Sequence, residues 1–230
     1  MCMRLLFVVT LALAGSGCGL LPSGGEGNGG GGLLGGADNG PCPDYSGIGE
    51  VGSWSEYEYR GDTVGTWRTE VVASADAGDS ATIELQQDSD FHVAASDYSS
   101  DTTTILIYRC DDDGAWLVSG EQTTDYVVAG TAGSSTSTWY YEQPALSLPA
   151  NLEVGDYWTF EGTLVNTTDD IESSTEVSNT YSAQRIDEVE VAGQTWTALE
   201  IVLDAQTPYW ADKDQGYLEG TSGELIDFGD

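Results

Sequence analysis

The chain reads as a mostly β protein, an antiparallel sandwich, barrel or strongly curved sheet of about a dozen strands with little helix. Three observations point there. From residue 51 onward, short segments rich in β-branched and aromatic residues alternate with clusters of Gly, Asp, Asn and Ser. No amphipathic helical period is visible, and only brief stretches near Ala75 and Pro144 tolerate helix. Tight-turn signals join neighbouring segments, the clearest being Asp113-Gly114, since Asp-Gly supplies the positive-φ residues of a hairpin turn.

The elements follow in order. WSEYEY sets Trp54, Tyr57 and Tyr59 among polar residues, and after RGDTVG comes TWRTEVVAS. ATIELQ places Ile83 and Leu85 on one face, and FHVAA does the same with Phe91 and Val93. TTTILIYRC turns at DDDG into AWLVSGEQ, and STWYYEQ and DYWTFEGTLVN are aromatic strands. TEVSNTYSAQRIDEVEV, the turn AGQ and TWTALEIVLDAQ form a long hairpin with Leu199, Ile201 and Leu203 on one face. The end of the chain reads as two or three short strands. VGSWSEYEYRG near the start echoes VGDYWTFEG later, which points to two related halves.

The first seventeen residues read as a signal peptide. Arg4 gives a positive n-region, and residues 5–14 form an apolar run too short for a membrane span. Gly15, Ser16, Gly17 and then Cys18 resemble a lipobox, in which the Cys thiol is acylated and the leader cut just before it. Gly15 stands where that signal usually has Leu, and the alternative is an ordinary secretory signal cut near Gly17. Residues 18–41 then form a lipidated Cys and a Gly-rich flexible tether, roughly 25 Å end to end. A single β domain is expected over 42–230, exported and held to the cell envelope, at an outer membrane or the cell surface.

Composition narrows the function. Acidic residues number 39 against 6 basic, a net charge of −33. Nucleic-acid binding, which needs a positive footprint, is excluded, and so is attachment to anionic membrane by charge. The scattered acids suit a solvated surface, salt adaptation or cation binding. Cys2 leaves with the leader and Cys18 takes the lipid, so Cys42 and Cys110 are expected to form a disulfide.

A resemblance enters at LSLPANLEVGDYWTFEGTL, EVEVAGQTWTALEIVL, YWADKDQGYLEG and YRCDDDG. These segments resemble a family of uncharacterised bacterial exported lipoproteins. The matching residues are Pro149, Gly155, Trp158, Val189, Val191, Ala192, Gly193, Ala198, Leu199, Ile201, Trp210, Ala211 and Gly216. The resemblance implies a LolA-like fold, a curved antiparallel half-barrel with an apolar concave face.

No catalytic arrangement is expected. His92 is the only histidine and sits in a strand-like stretch; Ser119 is not in a nucleophile elbow. For calcium, Asp111 and Asp113, and Asp212 and Asp214, are weak candidates, because neither loop has the EF-hand spacing and Asp-Asp-Gly also suits a hairpin turn. No cofactor is expected. The 7 Trp and 12 Tyr could line a cavity for an acyl chain or a sugar, or fill a core. The expected function is a lipid-anchored, non-enzymatic extracytoplasmic domain that binds an apolar small molecule or an envelope protein. The alternatives are an acidic structural or adhesive surface protein, with calcium assisting, and a carboxylate-dependent hydrolase.

Overall fold

The computed structural model describes residues 42–93 and 95–229. The leader, Cys18 and the tether up to residue 41 lie outside the described residues. Twelve strands follow in a meander: β1 (Trp54–Tyr59), β2 (Thr63–Asp76), β3 (Ser80–Val93), β4 (Tyr98–Asp111), β5 (Gly114–Val128), β6 (Thr131–Pro149), β7 (Tyr157–Thr168), β8 (Ile171–Val191), β9 (Gln194–Leu203), β10 (Thr207–Asp212), β11 (Gly216–Gly220) and β12 (Gly223–Gly229). Each pairs antiparallel with the next, and β12 pairs with β1, so the sheet closes into a barrel. The expected curved antiparallel sheet is present, and closure carries it beyond a half-barrel. There is no helix among the described residues: Ala75 and Pro144 both lie in strands. ATIELQ and the residues Phe91–Val93 of FHVAA, separate in the sequence reading, belong to one 14-residue strand, β3.

The repeat hinted at by VGSWSEYEYRG and VGDYWTFEG is present in the backbone. Gly52 and Gly155 both have left-handed φ, 103° and 100°. Gly52 N–H donates to Val71 O and Gly155 N–H to Ala183 O, each at 2.8 Å. The acceptors' own N–H groups return bonds to Ser53 O and Asp156 O. Each acceptor also stands at a β-bulge, between Val71 and Ala73 on β2 and between Ala183 and Arg185 on β8. A second matched pair of bulges falls at Ile107/Tyr108 and at Trp210/Ala211. The two halves, β1–β6 and β7–β12, therefore share a glycine turn and two bulges at corresponding places.

One end of the barrel is sealed. Residues 42–53 cross it, with Tyr45, Ser46 and Ile48 buried. Tyr45 N–H donates to Lys213 O in the β10–β11 turn, and Cys42 is disulfide-bonded to Cys110 on β4. The barrel's width explains why so much aromatic side chain is needed here. Barrels of about eight strands are just filled by their own side chains, whereas those of roughly 16–18 leave a channel. Twelve strands need large groups, and Tyr57, Tyr108, Trp139, Tyr141, Trp158, Phe160, Tyr181, Tyr209 and Tyr217 supply them. Several rings lie flat on the sheet where glycine leaves room. A Cβ on Gly120 would come within 2.4 Å of the Trp139 ring, and one on Gly223 within 2.2 Å of Trp67.

Breaking the disulfide tests how far the sealed end depends on it. The bond joins residues 68 apart, and a loop of that size stabilises by roughly 4 kcal/mol. Replacing Cys42 and Cys110 by Ser should lower the unfolding free energy by about that amount and move the urea midpoint down with it. An unchanged midpoint would mean that residues 42–53 hold without it.

Candidate functional site

Strand register sorts the inner wall into rows. Val71, Leu85, Leu106, Gly120 and Trp139 pair in sequence across β2–β6 and form an apolar floor. The next row, towards the end opposite the seal, is Thr69, Gln87, Thr104, Gln122, Ser137 and Thr168. Above it run Trp67, Ser89, Thr102, Thr124 and Ser135. The row beyond holds Gly65, Phe91, Ser100, Tyr126 and Gly133, and Val93, Tyr98 and Val128 lie in the last. A band of hydroxyl and amide side chains thus lies between an apolar floor and an aromatic rim.

The band is open because its side chains are small. Above the floor, indole and phenol give way largely to hydroxyls, while the wall keeps its strands. Gln87, Ser89, Thr102, Thr104, Gln122 and Thr124 are only half-buried although they face inward. The wall is also uneven. The β6–β7 ladder ends at Ser137 and Thr168, so residues 131–136 of β6 run on for about 20 Å beyond it.

From the floor row to the mouth, no inward position of the ladders from β2 to β7 carries a charge. The carboxylates are on the outer parity instead, with Asp90, Asp101 and Asp125 directly opposite one another across β3, β4 and β5. Glu84, Asp88 and Glu121 share that outer face, the reverse of the apolar belt that a membrane-spanning barrel presents. All five basic residues of the described chain are ion-paired: Arg60, Arg68, Arg109, Arg185 and Lys213.

Aromatic rings form a rail from floor to rim. Tyr217, Tyr57, Trp67, Tyr59, Phe91 and Tyr98 follow one another at centroid separations of 5.6, 4.8, 4.7, 5.5 and 5.8 Å. Four polar atoms on the inner wall have no hydrogen-bond partner among the described residues: Ser55 Oγ, Thr69 Oγ1 in the same row, Ser100 Oγ and Asn166 Oδ1. Thr69 is 1% exposed and Ser100 4%. Buried polar groups are ordinarily paired, so these stand out.

A second concavity lies on the outside, where β6 and β7 part. Four residues of β6, 141–144, bulge opposite the single residue Val118, and the β6–β7 ladder covers only five pairs, down to Tyr141 and Leu164. Below that point Trp158 bridges the seam, its indole N–H donating to Ser147 O at 3.0 Å. The resulting groove, about 680 Å³, is lined by Glu142, Glu161 and Glu176 with Trp116, Pro144 and Leu146. Thr163 Oγ1 donates to Glu176 Oε1 at 2.9 Å.

Two of the four calcium candidates, Asp111 and Asp212, have structural roles, and Asp113 and Asp214 donate their N–H groups to them. Asp111 Oδ1 accepts from the N–H groups of Asp113 and Gly114 and from the Trp116 indole, and Oδ2 accepts from Arg109. Asp212 Oδ1 accepts from the N–H groups of Asp214 and Gln215. Both loops are Asp-pinned turns at the sealed end, matched between the two halves. Among the described residues no group of three His, Cys, Asp or Glu is placed to hold a metal ion. His92 faces outward, opposite Val64 and Ser99.

The chain is an up-and-down antiparallel barrel, sealed at one end, with a neutral open mouth. It matches no family model, no curated protein and no solved structure.

The inner band was missed in the sequence reading, which weighed motifs and aromatic content. The signal was available as parity: along DSDFHV, SSDTTT and GEQTTDYVV, every acid falls on one alternation and every other residue set is neutral.

The two turn aspartates give opposite pH behaviour. Burial alone would raise the Asp111 carboxyl, but the Trp116 indole, the Asp113 N–H, Arg109 and the Gly114 N–H together hold it below its ordinary 3.8. Its contribution to stability is therefore present above about pH 4 and lost as pH falls through the depressed value. For Asp212, burial outweighs the two N–H donors and raises the carboxyl above 3.8. Its charged form costs stability at neutral pH, and that cost fades as pH falls through the raised value. Asp111→Asn should destabilise by about 1 kcal/mol at pH 7, whereas Asp212→Asn should leave stability unchanged or raise it. Denaturation from pH 2.5 to 7 checks both, and like-signed effects at pH 7 would contradict the assignment.

Proposed function

We propose that the protein is an exported, lipid-anchored, non-enzymatic binding barrel that holds an uncharged ligand in its mouth. The observation that carries this reading is the neutrality of the inner wall in a chain of net charge −33. Charge would have entered the wall freely if it faced only water; keeping it out suits a ligand that no ion pair recognises. The expectation of a wholly apolar concave face is narrowed, since the apolar part of the interior is filled by the protein's own rings. Ligand space remains above them. The Cys18 lipid and the tether would hold the barrel at the envelope, where such ligands are met.

A second reading, docking of an envelope protein, is favoured by the seam groove. Glu142, Glu161 and Glu176 beside Trp116 and Leu146 would suit a segment that brings cations on apolar stems. The acidic structural reading lacks a comparable site, because the turn aspartates are committed to backbone N–H groups.

Native mass spectrometry of the full-length protein from detergent-solubilised membranes tests the reading. The expected spectrum carries a diacylglyceryl mass on a chain beginning at Cys18, plus an uncharged molecule at fixed stoichiometry that leaves on denaturation. Cys18→Ala should lose the acyl mass and leave the membrane fraction. A chain that still fractionates with membrane as Cys18→Ala, or a barrel bound only to another protein, would overturn the primary reading.

A further inference from the structure

We infer that the mouth is a binding site for a neutral oligosaccharide, a deduction that rests on the uncharged-ligand reading and names its class. A sugar ring has two chemistries, and the inner wall offers a partner for each. Its C–H face carries positive hydrogen edges, which pack on the negative face of an aromatic ring. Tyr59, Phe91 and Tyr98 follow one another in edge-on and tilted contacts at 5.5 and 5.8 Å, and Phe91 and Tyr98 stay half-exposed at the rim. Its hydroxyls both donate and accept, as do Ser, Thr and the Gln amide. Gln87, Thr104 and Gln122 stand side by side on three adjacent strands, one row below Ser89, Thr102 and Thr124.

The unpartnered atoms carry the inference beyond composition. Ser100 Oγ is buried between the registers of Phe91 and Tyr126, and Thr69 Oγ1 lies beside Gln87. Both face inward. A wall built only to pack would have apolar groups at these positions, since a buried hydroxyl without a partner costs free energy. Ser100 stands two rows nearer the rim than Thr69, between the half-buried Phe91 and Tyr126, and its Oγ meets a ligand hydroxyl once those rings give way. An acyl chain satisfies neither atom and wastes the whole band. An anionic polymer meets the carboxylates outside with no cation inside to compensate. A cation finds no inward carboxylate.

The test is isothermal titration of the full-length protein in detergent with four neutral hexasaccharides, made of glucose in α-1,4 linkage, glucose in β-1,4 linkage, mannose and N-acetylglucosamine. Hexagalacturonate, an anion, and glyceryl monolaurate, an uncharged acyl chain, are the contrasting probes. Saturable binding of at least one neutral probe is expected, with affinity for hexagalacturonate at least tenfold weaker. Gln87→Leu with Gln122→Leu should weaken that binding tenfold or more, and Tyr98→Ala should do so independently. Glu121→Gln with Asp125→Asn, on the outer face, should leave it unchanged. Should the double Leu variant misfold by circular dichroism, Gln122→Met and Tyr98→Ala carry the comparison. No neutral probe binding, or equal loss from inner and outer variants, overturns the inference. Saturable binding of glyceryl monolaurate, an uncharged acyl chain, in place of sugar overturns it too, while leaving the uncharged-ligand reading intact.

Discussion

A sheet of twelve antiparallel strands would have two free edges, and this one has none, because β1 and β12 pair through six residues. Everything else in the molecule depends on that closure. An unpaired edge is a template for association, and a closed sheet also divides every strand into an inner and an outer parity that hold all the way round. The joint is not uniformly strong. β11 and β12 share only one ladder pair, Glu219 with Glu224, and Arg60 from the β1–β2 turn bonds both carboxylates across it. Tyr217 adds a bond from its hydroxyl to Gly223 O at 3.0 Å. Burial pushes that phenol above its ordinary pKa, so it remains a donor at any working pH.

Closure at twelve strands creates a volume problem, which the two ends of the barrel solve differently. At the sealed end, residues 42–53, a disulfide and a set of Trp and Tyr rings occupy the space. At the other end, small hydroxyls leave it open. Strand length accounts for part of this asymmetry. Both halves carry the same glycine turn and paired bulges. The strands diverge in length, however: β3–β6 run to 14–19 residues, whereas β10–β12 have 5–7. Long neighbouring strands β2–β6 form a tall wall, and the neutral band lies on it.

Much of the fold was legible from the residues. The hairpins at DDDG and AGQ, the faces of Ile83 with Leu85 and of Leu199 with Ile201, the Cys42–Cys110 pair and the echo between the two halves all follow from local pattern. Closure was not legible, since no short-range signal says that Trp54 meets Gly229. Nor was the four-residue excursion 141–144, where Pro144 marks a break but not its size. The aspartate turns show the limit of motif reasoning. Asp111 and Asp212 have the composition of a cation loop, yet their oxygens are taken up by backbone N–H groups three residues away or fewer, and by one indole and one guanidinium for Asp111. The neutral band needed both levels. Alternation marks the uncharged parity, and only the register sets Gln87, Thr104 and Gln122 in one row.

The most direct test of closure is amide hydrogen exchange resolved to single residues. A closed barrel makes β1 and β12 interior strands, so Ser55, Tyr57 and Leu225 should exchange as slowly as Leu85 and Leu106 in the middle of the sheet. Exchange in β1 and β12 faster by several orders of magnitude, with β3–β5 fully protected, would mean an open half-barrel and would remove the enclosed mouth with it.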